Sequence, residues 1–357
     1  MLTEADVLAA LKGVKDPELH RDLVDLGMVK DVRIGEGTIA LTVNLTTPAC
    51  PLKGQIEREV RGALESRLGA AWKLTITMSA EVRGKANFES GDIPGVKNVL
   101  AVGSGKGGVG KSTMAASIAF GLKSYGAKVG LMDADVYGPS IPTLVGVHDR
   151  PMARGERIQP LVTQGLKVMS MGFLVEPERA VIMRGPMLHG IMQQFLRQVD
   201  WGDLDYLIID LPPGTGDVPL TLSQTLPLTG AVVVCTPQEV ALADAVRALA
   251  MFRQLKVSIL GVIENMSFFE LPDGSRQFLF GEGGARRMAE RQEVPFLGEV
   301  PLQVRIRERG DVGELSRVLD EDAPSRPYVR HVVEQLAAQI SLRNLKSPKL
   351  PKLEILS

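Results

Sequence analysis

The stretch SGKGGVGKST, from Ser104 to Thr113, constrains the fold more than any other part of the chain. Gly105 to Ser112 fit the pattern G-x-x-x-x-G-K-[ST], which follows the apolar run NVLAVGS and precedes the helical run TMAASIAFGLKSYG. In that context, glycines expose backbone N–H groups to phosphates and the helix N-terminus adds its positive end. The sequence therefore predicts a strand, a phosphate-binding loop and a helix, in that order.

Two side chains of this loop supply the remaining chemistry of a nucleotide site. Lys111 adds a full positive charge, and the hydroxyl of Ser112 is suited to Mg²⁺. The alternative, a glycine-rich turn without a ligand, is disfavoured because strand, loop and helix agree. The predicted nucleotide-binding residues of the loop are Gly105, Lys106, Gly107, Gly108, Val109, Gly110, Lys111, Ser112 and Thr113.

Carboxylates at the ends of two apolar runs complete the predicted chemistry. Asp210 ends DYLIID, where it can reach a metal ion, so we predict it as the Walker B residue and a Mg²⁺ ligand. The run AKVGLMDAD ends in Asp133 and Asp135, and one of this pair could orient the attacking water; we predict Asp135 as catalytic. The alternative is that these carboxylates only cap the turns that follow.

Short, nearly continuous apolar runs recur after the first hundred residues. They are NVLAVGS, AKVGLMDAD, LKVMSMG, DYLIID, GAVVVCTP, VSILGVIENM and PFLGEVP, separated by helical segments. Runs that are apolar on both faces are typical of parallel strands covered by helices on both sides. The sequence therefore predicts an α/β fold, with a doubly wound, mostly parallel sheet in a P-loop NTPase domain at 98–345.

A smaller α/β unit is predicted at 1–83, followed by a linker at 84–97 that lacks periodicity and is rich in Gly, Pro and charge. Residues 346–357, which contain two prolines, are predicted to be a flexible tail. Hydrophobic periodicity gives the elements of the small unit. They are a helix at 3–12, strands at 29–34 and 38–45, a helix at 52–68 and a strand at 72–78.

The composition argues against nucleic-acid and membrane partners. The 357 residues carry 41 basic and 42 acidic side chains, so the net charge of −1 provides no global attraction to polyanions. The N-terminus has acidic residues where a signal peptide would have basic ones, and no apolar run reaches the roughly 18 residues of a membrane span. We therefore expect a cytoplasmic protein.

The motifs KGGVGKST, DADVYGPSIP and DLPPGTGD resemble those of the Mrp/ApbC family of P-loop ATPases, relatives of MinD, ParA and the nitrogenase iron protein. The similarity covers nearly all of 98–345. It implies a homodimer that binds ATP with Mg²⁺ and hydrolyses it slowly. It also implies a role for Lys106, which in this superfamily crosses the dimer interface to the partner's nucleotide and is catalytic. The alternative for Lys106 is a solvated surface charge.

Two further segments match the family. Glu264-Asn265-Met266 corresponds to its "ENM" motif, whose asparagine reads the adenine base, and Pro301 ends the matching segment VPFLGEVP. The resemblance therefore adds Asn265 and Pro301 to the nucleotide site. An amide at a strand end could equally close an Asx turn, so this alternative for Asn265 stays open.

The first 82 residues resemble the small iron–sulfur assembly domain at the front of many Mrp proteins, through DPELHRDLVDLGMVKDVRI and LTTPACP. Cys50 precedes Pro51 and a predicted helix start, which favours a thiolate. The resemblance makes Cys50 a possible cluster ligand or transfer thiol, and the alternative is a small buried apolar residue. Cys235 lies within the run GAVVVCTP and is predicted to be core.

One departure from the family concerns its C-x-x-C motif, which usually follows "ENM". Leu271 and Gly274 occupy the two cysteine positions here, so an interfacial iron–sulfur cluster lacks these ligands. The resemblance still implies cluster assembly or transfer to apo client proteins, or work with other assembly factors. Two alternatives are a positioning ATPase like MinD or ParA, and an ATP-dependent client scaffold without its own cluster.

Overall fold

The structure is a computed structural model, and it describes residues 2–17, 20–84, 93–174 and 185–346. The first part is a three-stranded sheet, in which the middle strand pairs antiparallel with the first and parallel with the third. Its elements are α1 (Glu4–Leu11), β1 (Val29–Gly35), β2 (Thr38–Leu45), α2 (Lys53–Leu68) and β3 (Lys73–Ala80).

Local sequence explains these elements. The Thr3 side chain accepts from the backbone N–H of Asp6, and the Asp6 carboxylate accepts from Thr3 in return, which is a capping box at the start of α1. Every second residue of β2 is buried, because alternate side chains point to one face. That face packs against buried residues of α2 spaced four apart, Ile56, Val60 and Leu64.

The larger part contains an eight-stranded sheet with helices between the strands. Its strands and α-helices are β4 (Val96–Gly103), α3 (Lys111–Ser124), β5 (Val129–Asp133), α4 (Ile141–Val145), β6 (Ala153–Arg154), β7 (Arg157–Ile158), β8 (Leu161–Thr163), β9 (Leu166–Ser170), α5 (Gly185–Arg197), β10 (Leu204–Asp210), α6 (Asp217–Thr225), β11 (Gly230–Cys235), α7 (Glu239–Gln254), β12 (Ile259–Asn265), β13 (Phe269–Glu270), β14 (Arg276–Gln277), α8 (Gly284–Arg291), β15 (Phe296–Val300), α9 (Val304–Asp311) and α10 (Arg326–Lys346). Short 3₁₀ helices span Met171–Phe173 and Leu315–Leu319.

The strand order of the large sheet is β15-β12-β11-β4-β10-β5-β9-β8. All neighbours pair in parallel except β8, which adds an antiparallel edge. The predicted fold class is confirmed, and each of the quoted apolar runs contains a strand. Because β4 lies between β11 and β10, the loop that follows it is at the centre of the carboxyl-end edge, where ligands bind in open α/β sheets.

Several predicted boundaries differ by one or two residues. Val96 and Lys97, which were assigned to the linker, are the first residues of β4, because Val96 pairs with Leu204 of β10. Helix α10 extends through Lys346, one residue into the predicted tail. Residues 85–92 of the predicted linker lie outside the described residues. The remainder of the predicted tail, 347–357, also lies outside them.

The loop that precedes Cys50 touches the larger part of the chain. The hydroxyls of Thr47 and Tyr206 lie 3.4 Å apart within hydrogen-bonding geometry, and both residues are buried. Ala49 is fully buried in the apolar cluster of the large sheet. Beside this contact lies an open groove of about 620 Å³. The two parts therefore meet through this loop near the start of β10 and through Val82 and Arg83 after β3, where the Arg83 carbonyl accepts hydrogen bonds from Asn98 and Asn344.

No helix in the described part of the chain is both long and apolar enough to cross a membrane.

Candidate functional site

The loop after β4 has the backbone of a phosphate cradle. Gly108 and Gly110 have φ of +81° and +80°, a left-handed conformation that favours glycine. Gly110 is the N-cap of α3, and no side chain caps the helix there. The first N–H groups of α3 are therefore available to an anion, together with the positive end of the helix dipole.

Two glycines of the loop are in contact with neighbouring elements. A Cβ atom on Gly105 would lie 2.1 Å from the backbone carbon of Asp244 in α7, and a Cβ on Gly110 would lie 2.2 Å from Nδ2 of Asn265. Gly107, by contrast, has open space around its Cα. The loop is held by close packing on α7 and β12, so its position depends on the absence of side chains at Gly105 and Gly110.

These contacts predict a large effect of one alanine substitution in the loop. Gly105→Ala forces the loop away from α7, and we expect the ATP hydrolysis rate to fall by about 100-fold, as for a reacting group displaced by 1 Å. Gly62→Ala, at an open position of α2 outside the site, is the control and should retain the wild-type rate. Phosphate release and circular dichroism measure both effects. Equal rates in the two folded variants would contradict the role given to the Gly105 contact.

A buried ion pair lies beneath the loop. Nζ of Lys111 is 2.6 Å from Oδ1 of Asp210 and 3.2 Å from Oγ of Ser112, and it lies 3.9 Å from Oδ2 of Asp135. The side chains of Lys111 and Asp210 are 6% and 0% exposed. Oδ2 of Asp210 is buried and has no hydrogen-bond partner among the described residues. Four predicted site residues thus converge on one point, with one carboxylate oxygen available.

Two carboxylates stand side by side at this edge of the sheet. Asp210 at the end of β10 and Asp133 at the end of β5 are direct partners in the strand register. Burial raises the pKa of Asp210, and the Lys111 ammonium counteracts this by favouring the ionised form. Burial, followed by the negative charge of Asp210, raises the pKa of Asp133 to about 7. Lys111 is therefore the charge that favours the ionised form of Asp210 against the effect of burial.

Asp133 organises the loop that follows β5. Its Oδ1 accepts a hydrogen bond from the backbone N–H of Asp135 at 3.0 Å, and its Oδ2 accepts from Ile141 N–H at 3.2 Å and from the Ser170 hydroxyl at 3.0 Å. Asp135 itself accepts from Gly138 N–H at 3.3 Å. Asp133 therefore acts as a cap of the turns that follow, which was the alternative to a catalytic role. Asp135 caps a turn through Oδ1, but its Oδ2 also faces Lys111. Ser170 is not among the residues predicted for the site, since its only signal in the sequence is its position at the end of a predicted strand.

The predicted base-reading residues border one cavity of about 370 Å³. Gly110, Thr113, Asn265 and Pro301 all line it, together with apolar side chains that include Ile306. Nδ2 of Asn265 donates to the carbonyl of Val109 at 2.9 Å, which ties β12 to the phosphate loop. The Asn265 amide therefore bonds to a distant part of the chain, whereas in an Asx turn it would bond to its own neighbours.

Lys106 is half-buried. Its carbonyl oxygen accepts a hydrogen bond from the Ser104 hydroxyl at 2.9 Å. Within the described ranges, its ammonium group forms no hydrogen bond or ion pair, whereas Lys111 is bound to Asp210. The two lysines of the loop therefore differ: one is tied to its own site and the other is available to a second molecule.

The two cysteines occupy different environments. Cys50 is half-buried and stands three residues ahead of the first residue of α2. Cys235 lies inside β11, and burial, followed by the negative charge of Glu264, raises the pKa of its thiol to about 12. The prediction that Cys235 is a core residue is confirmed, because it is 1% exposed.

The family's two cysteine positions fall in a tight turn. Leu271 and Gly274 lie between β13 and β14, and each N–H donates within the turn, to the carbonyls of Ser275 and Leu271. Gly274 has φ of +80°. Arg276 next to the turn lies 4.1 Å from the ring centre of Phe268. Across the described parts of the chain, no group of three or more His, Cys, Asp or Glu side chains could hold a metal ion by itself.

Family models match two consecutive parts of the chain. The model described as ParA, NUBPL iron-transfer P-loop NTPase, matches residues 95–337 and so includes the whole site. A second model, described as iron-sulfur cluster assembly protein, matches residues 4–71. The order of the two matches is the order predicted from the sequence, with the assembly domain at the front.

Similar proteins cover the chain almost completely. An iron-sulfur cluster carrier protein from Synechocystis sp. is 46% identical over 353 residues, which are 97% of this chain and 100% of that protein. One of the same name from Deinococcus radiodurans is 48% identical, over 95% of this chain and 96% of that protein.

Solved structures agree with this relationship. A nucleotide-binding protein from Archaeoglobus fulgidus, solved in complex with ADP, is 41% identical with a TM-score of 0.58 and covers 65% of this chain and 94% of its own. MinD from Pyrococcus furiosus has a TM-score of 0.53 at 20% identity, over 67% of this chain and 97% of its own, and shows a likeness of fold alone. The chain therefore belongs to the ParA family of NUBPL-type iron-transfer P-loop NTPases.

Proposed function

We propose that this chain binds ATP with Mg²⁺ and hydrolyses it slowly as a homodimer, and that hydrolysis drives iron–sulfur cluster assembly or transfer. The observation that carries the nucleotide half is the buried ion pair of Lys111 and Asp210 under a glycine loop with uncapped N–H groups. The relative solved in complex with ADP supports a nucleotide as the ligand. The names of the closely similar carriers support the cluster half.

The loop and the ion pair have distinct tasks in this proposal. Backbone N–H groups of the loop bind the phosphate oxygens, and Lys111 exchanges part of its bond to Asp210 for the phosphates. Asn265 and Pro301 border the cavity in which the adenine base would lie. Asp135, whose Oδ2 lies 3.9 Å from Nζ of Lys111, orients the attacking water.

The donor set fits Mg²⁺. Oδ2 of Asp210 is a buried carboxylate oxygen without a partner among the described residues, and the Ser112 hydroxyl is beside the same lysine. Magnesium sites in NTPases use one or two protein oxygens and take the rest from phosphates and water, so a protein-only cage is not needed. Ser112 and Asp210 would hold the ion, which would neutralise phosphate charge during transfer.

The second lysine supports the homodimer. Lys106 is half-buried in the loop, and its ammonium group forms no bond within the described part of its own chain. A cation supplied by a partner can stabilise charge on the transferring phosphoryl group only when two subunits close face to face. ATP would then act as the clamp of the dimer, and hydrolysis would release it.

The cluster is cargo in this proposal, and its ligands are few. Leu271 and Gly274 cannot ligate iron, and the Cys235 thiol is buried with its pKa raised to about 12. Cys50 remains as the one half-buried thiol, at the front of the chain. We therefore place cargo binding at Cys50 or on cysteines of a client or separate assembly factor, in the cytoplasm and without membrane or nucleic-acid partners.

A second candidate is a client scaffold that uses ATP without holding a cluster. The observation that favours it is the turn at 271–274, where backbone hydrogen bonds and a left-handed glycine replace the thiol pair. In this function the ATPase cycle would open and close a docking surface for apo clients, while another protein donates the cluster.

Anaerobic reconstitution with iron and sulfide tests the cluster half. We expect wild type to hold no stable cluster between the ATPase domains, and any bound iron to be lost in Cys50→Ser, because thiolates are the usual cluster ligands. Cys235→Ser is the matched control and should leave iron content unchanged. A stoichiometric cluster that survives Cys50→Ser would contradict the assignment. Intact ATPase activity with no iron in any form would favour the scaffold.

A further inference from the structure

A row of polar side chains crosses three adjacent strands at the edge that carries the site. Asp210 of β10, Asp133 of β5 and Ser170 of β9 are partners in the strand register. All three residues are fully buried. Asp210 belongs to the ion pair and Asp133 stands beside it, whereas Ser170 lies one strand further away. The role of Ser170 has to come through Asp133, which is its partner.

The hydroxyl of Ser170 has a defined direction. Its Oγ accepts the backbone N–H of Gly172 at 2.9 Å, and it donates its single proton to Oδ2 of Asp133 at 3.0 Å. The same oxygen of Asp133 accepts from Ile141, while the other accepts from Asp135. One carboxylate is thus bonded near both ends of the loop at 134–141, and Ser170 fixes the orientation of that carboxylate.

Packing at the next residues supports the same loop independently. A Cβ atom on Gly172 would lie 3.2 Å from Cβ of Pro139 and 3.1 Å from Cγ of Pro142. The 3₁₀ turn after β9 therefore packs closely against Pro139 in the loop and Pro142 at the start of α4. The end of β9 contacts the Asp135-bearing loop twice, once through a hydrogen bond to Asp133 and once through the prolines.

We propose that Ser170 is a positioning residue for ATP hydrolysis: through Asp133 it holds the loop at 134–141 so that Asp135 faces the phosphate end of Lys111. This inference rests on the proposed ATPase function and adds a residue to it. Ser170 is too far along the sheet to be placed among the phosphate or base contacts. Its loss should therefore slow turnover while nucleotide binding remains.

The test compares Ser170→Ala with Ser325→Ala in the full chain. Ser325 is also buried and also donates one hydrogen bond, to the carbonyl of Val318, so the control removes an equivalent hydroxyl away from the site. We expect Ser170→Ala to lower kcat by about 10-fold, which corresponds to one lost hydrogen bond to a charged group, with KM for ATP unchanged. Ser325→Ala should keep both constants.

Hydrogen exchange gives a readout that does not depend on activity. In Ser170→Ala the amide protons of Asp135 and Ile141 should exchange about 5-fold faster, because their acceptor is less well held. Ser170→Thr keeps the hydroxyl and should restore both the protection of these amides and kcat. Ser170→Val has the shape of the threonine variant without its hydroxyl and should restore neither. If Ser170→Thr does not fold, the comparison of Ser170→Ala with wild type decides the matter.

The outcomes separate the two ideas. Wild type without ATPase activity would refute the proposed function, and the exchange rates would still decide whether Ser170 holds the loop. Unchanged exchange at Asp135 and Ile141 in Ser170→Ala would overturn the inference. A parallel loss of kcat and ATP affinity, or equal effects of Ser325→Ala, would also overturn it, because either result indicates general damage.

Discussion

Replacement of Lys111 by alanine should abolish ATP binding and hydrolysis and should also destabilise the protein, for one physical reason. The substitution removes the cation from a pair whose carboxylate is 0% exposed. Removal of one partner from a buried ion pair costs about 3–5 kcal/mol, because the remaining charge is left without compensation. Calorimetric titration with ATP measures the first effect, and urea unfolding measures the second.

Two further measurements separate binding from stability. Asp210→Asn added to Lys111→Ala should restore much of the stability but no ATP binding. Without Lys111, Asp210 has a raised folded-state pKa, so the variant should lose stability as pH rises above the ordinary Asp pKa of about 4, and be least destabilised in acid. Lys128→Ala, at an exposed lysine beyond α3, is the control. ATP affinity that survives in Lys111→Ala would show that the phosphate site is elsewhere.

Lys106→Ala should have the second largest effect, and it should change the rate of ATP hydrolysis while ATP binding stays the same. Because its ammonium forms no bond within the described part of its own chain, folding and ATP affinity should be almost unchanged. Loss of a charge that stabilises the transferring phosphoryl group should lower the hydrolysis rate by about 100-fold. Single-turnover phosphate release, with ATP affinity measured separately, distinguishes the two quantities.

Subunit mixing tests whether Lys106 acts across the dimer. A heterodimer of Lys106→Ala with Asp135→Asn has one site with an intact Asp135, and that site receives Lys106 from its partner. The mixture should therefore hydrolyse ATP faster than either variant alone. If Lys106 works within its own subunit, the mixture will remain as slow as the separate variants.

Local spacing explains why much of the site could be predicted. The phosphate loop needs its residues in one short segment, and carboxylates at strand ends are brought to one edge by parallel pairing. Asp210, Asp133 and Lys111 therefore converge as the pattern indicates. The bond from Asn265 to the carbonyl of Val109 depends on the order of strands, which sequence spacing does not determine.

Other features depend on residues that are distant along the chain. Ser170 reaches Asp133 only because β9 pairs with β5, and nothing near Ser170 in the sequence carries a phosphate or metal motif. Short paired strands such as β13 and β14 have too few residues for alternation to show. The antiparallel edge strand β8 is also short, with three residues, Leu161–Thr163.

The small contact between Thr47, Ala49 and Tyr206 has a thermodynamic consequence for the two parts of the chain. Even with Val82 and the hydrogen bonds to the Arg83 carbonyl beside it, this surface is too small to hold two separate proteins together at cellular concentrations. Within one polypeptide, however, the effective concentration of the two surfaces reaches the millimolar range, so even a weak contact is formed for much of the time. A client that binds the Cys50 loop would compete with this contact at little cost in free energy.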